Sequence, residues 1–371
     1  MTHPITLISH LPFHRRTTLQ TPSYGSLTIT YADIGTPTGP CLLFCPGMFA
    51  SRYLGVPLHV VAERAGVRLI VADRMGMGGS SDVKPEERIG AWIEIFPLLL
   101  KELNVGRVAL ASHSAGTIYL FNVWYKYPHL VDGRVFCLAP WIDPSHSKVT
   151  SMQAASYLPK GLFNYWNSIP RFFVTQASPV LASSGAVMRK MSGSMSSISG
   201  LSGSKDTNQS LSQEESDKNF LDANYKRIQR DYGVPVKESE EVARLALRYM
   251  FDENTIGANG EALVCVRKTK GAGADWGVCE DYGECAKTLR GLEGAGRVEL
   301  RAYFAEKDAL TGSRGQRYFD ECWKTSTSSE EEEGGVTYVG RTVQGTDHDT
   351  LAQAVEVWEE IFGLVSGSSP R

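Results

Sequence analysis

Residues 105–120 read VGRVALASHSAGTIYL, and the reading of this stretch decides the rest. The run 108–111 (VALA) is short and apolar on every position, as a strand covered on both faces must be. Ser112-His113-Ser114-Ala115-Gly116 follows without a break, and 117–127 then carries Ile118, Phe121, Trp124 and Tyr125 at helical spacing. A buried strand, a turn centred on a serine and a helix form a context that can hold an exposed nucleophile in a strained backbone. The turn tolerates only small residues two positions either side of its centre, and Ser112 and Gly116 are small. A serine-rich loop that happens to contain glycine is the bland alternative, so the flanking chain has to choose between them.

Composition sets the outer bounds. The chain has 371 residues, enough for one large α/β domain with an insertion, and its net charge of -3 gives no basic field for nucleic acid. No apolar run is long enough to span a membrane, and residues 1–16 lack the apolar core and cleavage site of a secretory signal. They are expected to form an N-terminal strand. The seven cysteines are odd in number and scattered, with Cys45 and Cys137 inside apolar strands and Cys279 and Cys285 spaced wrongly for common zinc motifs. Reduced thiols in a cytoplasmic protein fit that pattern best.

Outward from the serine turn, four strand-to-helix units appear in succession. Residues 17–20 and 26–31 alternate and read as an antiparallel hairpin. Buried strands follow at 41–45 (CLLFC), 67–72 (VRLIVA) and 135–139 (VFCLA), and residues 85–103 read as a helix that Pro97 should kink. The first of these strands runs into Pro46-Gly47-Met48, and the second into Asp73-Arg74-Met75-Gly76-Met77-Gly78-Gly79-Ser80. The glycines there do not follow G-x-G-x-x-G, so a dinucleotide site is set aside. The repeated unit implies a mostly parallel central sheet with helices on both faces.

After Ala139 the rhythm stops and resumes at 298–305 (VELRAYFA). Between them, 154–174 is crowded with aromatic and aliphatic groups, 191–219 is Ser/Gly-rich and expected to be disordered, and 220–232 and 238–250 look helical. The expected organisation is a core from 1–145 and 286–371, with a helical cap inserted at 146–285. Asp308 follows the resumed strand, residues 325–335 are acidic and read as a solvated loop, and a last strand at 336–343 leads to Gly345-Thr346-Asp347-His348-Asp349.

In this order the motifs resemble the α/β-hydrolase fold superfamily over nearly the whole chain. Ser112–Gly116 is similar to its nucleophile elbow, with Ser112 where glycine is usual. Pro46-Gly47-Met48 resembles its oxyanion loop, with Pro46 where many members carry histidine. The 73–80 turn is similar to its D-x-x-G-x-G-x-S turn, and 345–349 to its histidine loop. The resemblance implies Ser114 as nucleophile, His348 as base and Asp308 as the acid that orients it. Asp143 competes for the acid's place, because some members carry it one strand earlier, and Glu306 is a further candidate. The backbone N–H groups of Met48 and Ala115 would form the oxyanion hole. His113 is expected to point away from the serine and to be structural. Arg52 reads as a surface cation or a group at the site entrance.

The resemblance further implies hydrolysis of an ester or related acyl bond through an acyl-enzyme, with no cofactor and no metal. The aromatic cap points to an apolar small molecule as substrate. An aspartate nucleophile is excluded by the serine at position 114. Carbon–carbon bond hydrolases, acyltransferases, lyases and non-catalytic binding members share the same residues, and the fold does not choose among them. The oligomeric state is not legible in the sequence.

Overall fold

The computed structural model describes residues 4–166, 168, 205–269, 276–292, 296–324 and 335–367, with side chains placed from 215 onward in the helix that starts at Lys205. The expected loop at 325–335 lies outside these residues except for Gly335, which opens the last strand.

Eight strands form one sheet: β1 (Arg15–Thr21), β2 (Gly25–Gly35), β3 (Cys41–Cys45), β4 (Arg68–Ala72), β5 (Val108–His113), β6 (Val131–Leu138), β7 (Arg297–Lys307) and β8 (Gly335–Asp347). Their spatial order is β1-β2-β4-β3-β5-β6-β7-β8. The β1–β2 hairpin and the β2–β4 pair are antiparallel, and every later pair is parallel. Parallel neighbours need a crossover, and helices supply it. The core helices are α2 (His59–Ala65), α3 (Arg88–Glu102), α4 (Gly116–Lys126), α11 (Gly312–Trp323) and α12 (Val355–Ser366), and a short α1 (Pro4–Ile8) precedes β1.

Alternation along the central strands feeds two cores. Leu43 and Cys45 of β3, with Val108 and Leu110 of β5, face one layer with Trp92, Phe121 and Trp323. Leu42 and Phe44, with Ala109 and Ala111, face the other with Val61, Trp358 and Phe362. Each large apolar side chain taken out of water contributes about 1.5–3 kcal/mol. Burial on both faces explains why these strands are continuous apolar runs in sequence.

Two expectations need correction. Residues 4–13 are helical rather than a strand, as α1 and a 3-10 turn at Leu11–Phe13, because their apolar groups are spaced to anchor Ile8 and Phe13 in the second core. The expected disorder over 191–219 does not hold from Lys205 onward. That part belongs to helix α7 (Lys205–Tyr232), which contains no Gly or Pro and is anchored through Asn224 and Ile228; residues 191–204 lie outside the described residues. Pro97 lies inside α3 as expected, and α3 begins only after a 3-10 turn at Pro85–Glu87.

Between β6 and β7 the described chain contains helices and no strand. They are α5 (Pro144–Ser147), α6 (Thr150–Tyr157), α7, α8 (Val236–Asp252), α9 (Gly257–Cys265) and α10 (Tyr282–Arg290), with 3-10 turns at Lys160–Tyr165 and Gly277–Glu280. Helix α9 lies on the turn after β4: Gly257 N–H donates to the Gly76 carbonyl at 2.9 Å, and Gly78 N–H to that of Asn254 at 2.8 Å. A side chain at Gly257 would meet the Met75 carbonyl at 2.3 Å, so this approach requires glycine.

Candidate active site

The site is built at the carboxyl ends of β5, β7 and β8. Ser114 follows β5 with φ at 51°, a conformation that costs a non-glycine residue energy and is held by its neighbours. Its N–H donates to the Leu138 carbonyl at 3.0 Å, and its carbonyl accepts from Thr117 at 3.0 Å and Trp141 at 3.2 Å. Gly116 is obligatory, since a Cβ there would lie 2.1 Å from the Cys45 carbonyl oxygen. At position 112 a side chain fits, and the Ser112 and Thr117 hydroxyls are hydrogen-bonded at 3.1 Å. The departure from glycine at 112 is thereby accommodated inside the turn.

His348 stands at the end of β8, and its Nε2 lies 2.8 Å from Ser114 Oγ. Its Nδ1 lies 2.8 Å from Asp308 Oδ2. The other oxygen of Asp308 accepts the N–H groups of Leu310 and Thr311, both at 2.8 Å. Both oxygens of Asp308 are therefore engaged, and its orientation toward His348 is fixed from behind. Burial alone would raise the Asp308 pKa, but His348 and those two N–H groups hold it below the ordinary carboxylate value. Burial alone would lower that of His348, yet Asp308 beside it raises it to about 9. Asp347 is buried near Asp349 and Asp217 and is held up to about 6.

Of the competing acids, Asp143 caps α5 through Ser145 N–H at 2.7 Å and pairs with Arg267, and Glu306 accepts from Gly345 N–H at 2.8 Å. Among the described residues, only Asp308 bonds the His348 ring from the acid side.

His113 is bonded to the histidine loop. Its Nε2 donates to the His348 main-chain carbonyl at 2.8 Å, which pins the histidine loop to the elbow. Burial, reinforced by the charge of His348, lowers its pKa to about 4, so it is a neutral ring that does not compete for protons.

The loop after β3 borders the serine. A Cβ at Gly47 would lie 2.7 Å from His113 Nδ1 and 3.5 Å from Ser114 Cβ, so glycine lets this loop pass the elbow. Among the described residues, neither the Met48 nor the Ala115 N–H has a hydrogen-bond acceptor. Both are free for a ligand. Next to Met48, the chain between β6 and β7 contributes Phe163, Ala262 and Val266 with Leu158, Trp166 and Leu263, an apolar wall whose Phe163 and Trp166 rings are 5.4 Å apart.

Arg52 corrects the sequence reading, for it is neither a surface cation nor at an entrance. It is buried, with Asp73 at 2.6 Å and Glu253 at 2.6 Å as partners and Nε donating to the Phe13 carbonyl at 2.8 Å. Sequence reasoning also passed over Arg74 and Glu261, a fully buried ion pair at 2.5 Å; the arginine directly after Asp73 was its one visible signal.

Among the described residues no group of three or more His, Cys, Asp or Glu side chains could hold a metal ion, and no helix is long and apolar enough to cross a membrane.

Comparison with known proteins agrees with this architecture. A family model described as alpha/beta hydrolase fold matches residues 40–221. Similar solved structures include an esterase from Rhodococcus sp. ECU1013, 13% identical, with a TM-score of 0.54 over 95% of this chain and 99% of that one. A carboxylesterase structure from the ammonia-oxidizing thaumarchaeon Nitrososphaera gargenis is 13% identical with a TM-score of 0.53, over 94% of this chain and 98% of that one. An epoxide hydrolase from Bacillus megaterium is 10% identical with a TM-score of 0.51, over 95% and 100%. No curated protein sequence matches the chain. The chain has the α/β-hydrolase fold, and its residues 40–221 match that family's model. At these identities the structures speak for the fold alone, and they span more than one chemistry.

Proposed function

We propose that the protein is a serine hydrolase that cleaves an ester or related acyl bond of an apolar small molecule. The observation that carries this reading is the buried chain Asp308–His348–Ser114, with 2.8 Å at each link and the serine on a strained turn. In the proposed step neutral His348 takes the Ser114 hydroxyl proton on Nε2 as Oγ attacks the carbonyl carbon, while Nδ1–H stays on Asp308. The same proton then goes to the leaving oxygen, the acyl–oxygen bond breaks, and water repeats the sequence on the acyl-enzyme. The Met48 and Ala115 N–H groups would receive the oxyanion. The apolar wall beside Met48 supports an apolar substrate, taken here to be covered by a cap of residues 146–285. Seven cysteines without disulfides, six of them buried, support a reducing, cytoplasmic setting.

A fluorophosphonate probe tests the assignment. Intact-mass analysis should show one adduct on the native protein and none on Ser114→Ala. An adduct that survives the substitution places the nucleophile elsewhere, and a native protein that is not labelled refutes the serine mechanism.

A further inference from the structure

We infer that Arg74 is a positioning residue for the oxyanion hole, and that Glu261 of the cap helix α9 sets it in place. The inference rests on the reading above that Ser114 attacks an acyl carbon.

Arg74 is buried and uses both ends of its guanidinium. Its Nε and Nη2 donate side-on to the two oxygens of Glu261, at 2.7 and 2.5 Å. The outer edge donates to two successive carbonyls of the loop after β3: Nη1 to that of Pro46, and Nη2 to that of Gly47 at 3.0 Å. The Tyr119 ring lies 4.9 Å from the guanidinium carbon, so the group is held from its face as well.

A trans peptide is planar, and its C=O and N–H point in opposite directions. The Gly47 carbonyl and the Met48 N–H belong to one such plane. When Arg74 draws the carbonyl toward α9, it turns the Met48 N–H to the opposite side and leaves it unpaired. The Pro46–Gly47 plane is clamped in the same way. The Gly47 carbonyl also accepts the Ala50 N–H at 3.0 Å, and Arg74 adds the second donor that fixes this glycine peptide against swinging on a single turn bond. A bare ion pair would need neither carbonyl, and a lone arginine would not hold the fork in this orientation. Glu261 performs that task from the cap, so closure of the cap on the turn and alignment of the Met48 N–H are one event.

The pair is best removed whole, because deleting one partner leaves the other charge buried and uncompensated. In Arg74→Met/Glu261→Met, kcat on an aryl ester should fall on the order of a hundredfold, as when one oxyanion donor is lost, with KM within about threefold of native. Affinity for a trifluoromethyl ketone, whose serine adduct carries an oxyanion, should fall by a similar factor. Glu261→Gln, which keeps Arg74 and an acceptor for its Nε, should retain most of kcat. Native kcat in the folded double variant overturns the inference, as does a rise in KM that accounts for the whole loss. If the double variant does not fold, Arg74→Lys decides: an ammonium has three N–H donors and no planar fork for the four acceptors that Arg74 holds, so a kcat loss at unchanged KM supports the inference and native kcat refutes it. A crystal structure of the double or the lysine variant judges the geometry apart from the chemistry. An unmoved Gly47–Met48 peptide overturns the positioning role even if Ser114 proves not to be the nucleophile. Labelling lost in Ser114→Ala together with native kcat in the double variant would leave the hydrolase reading standing and remove this one.

Discussion

Ser114, His348 and Asp308 lie far apart in sequence and meet because β5, β8 and β7 end on the same edge of one sheet. The acid is the member with a rival, and its partners separate the two. Asp308→Asn should reduce kcat by about four orders of magnitude, since an amide in that place favours the wrong tautomer. Asp143→Asn, at a carboxylate bonded to Ser145 and Arg267, should stay within about tenfold of native on the same ester. The reverse order of effects would move the acid to the end of β6. The raised His348 pKa has a second consequence. Because the base must be neutral, kcat/KM should rise with pH along a limb displaced from the ordinary 6.5 toward about 9, and Asp308→Asn should draw that limb back down. The pair also makes stability depend on pH. His348, raised, contributes fully below pH 6.5 and its contribution is lost as pH rises through about 9. Asp308, depressed, contributes above 3.8 and its contribution is lost as pH falls through its folded value. A kcat/KM limb at the ordinary histidine value would show that Asp308 does not hold the proton on His348.

At the scale of elements, the turn at Ser114 is a matter of close approach and the stretch between β6 and β7 a matter of lining. Strand β5 is buried throughout and apolar over 108–111 because both sheet faces are covered, and Gly116 lets α4 start beneath the loop after β3. The 3-10 turn Lys160–Tyr165 and helix α9 bring Phe163, Trp166, Leu263 and Val266 beside Met48. Each methylene buried there gains about 0.8 kcal/mol, whereas an unpaired charge costs several. Hydrolysis of neutral aryl esters should therefore speed up from acetyl to about hexanoyl, by no more than several-fold per methylene in kcat/KM. Trp166→Ala should flatten that rise and leave acetyl ester turnover in place. A flat profile in the native protein, or preference for charged acyl groups, would remove the apolar wall from substrate binding without touching the triad. Phe172, another aromatic of the same sequence stretch, lies outside the described residues.

Across the whole molecule, buried arginines tie segments that are distant in sequence. Arg52 joins the N-terminal segment at Phe13, the turn after β4 at Asp73 and the end of α8 at Glu253. Arg52→Met would leave Asp73 buried without its main cationic partner, at a cost of about 3–5 kcal/mol. Denaturant unfolding should show that loss, and the combined Arg52→Met/Asp73→Asn variant should recover part of it. Equal loss in both variants would mean that the arginine acts through packing alone.

The sequence by itself determined the parallel sheet, the strand, turn and helix around Ser114 and the helical stretch between β6 and β7. These are local facts: apolar runs of strand length, a small-residue turn and helical spacing are each written within about ten to twenty neighbouring residues. It could not choose between Asp308 and Asp143, because both follow a strand at the same edge and only the finished sheet shows which one reaches the His348 ring. Nor could it expose Arg52 and Arg74 as buried, since a cation is soluble anywhere on a linear chain. Their partners Glu253 and Glu261 lie 201 and 187 residues away. The helix that begins at Lys205 likewise follows from tertiary anchoring at Asn224 and Ile228, which a composition rich in Ser and polar groups does not announce. Long-range pairing of buried charges is decided by packing alone, because desolvation makes a partner compulsory only once the fold has closed around the charge.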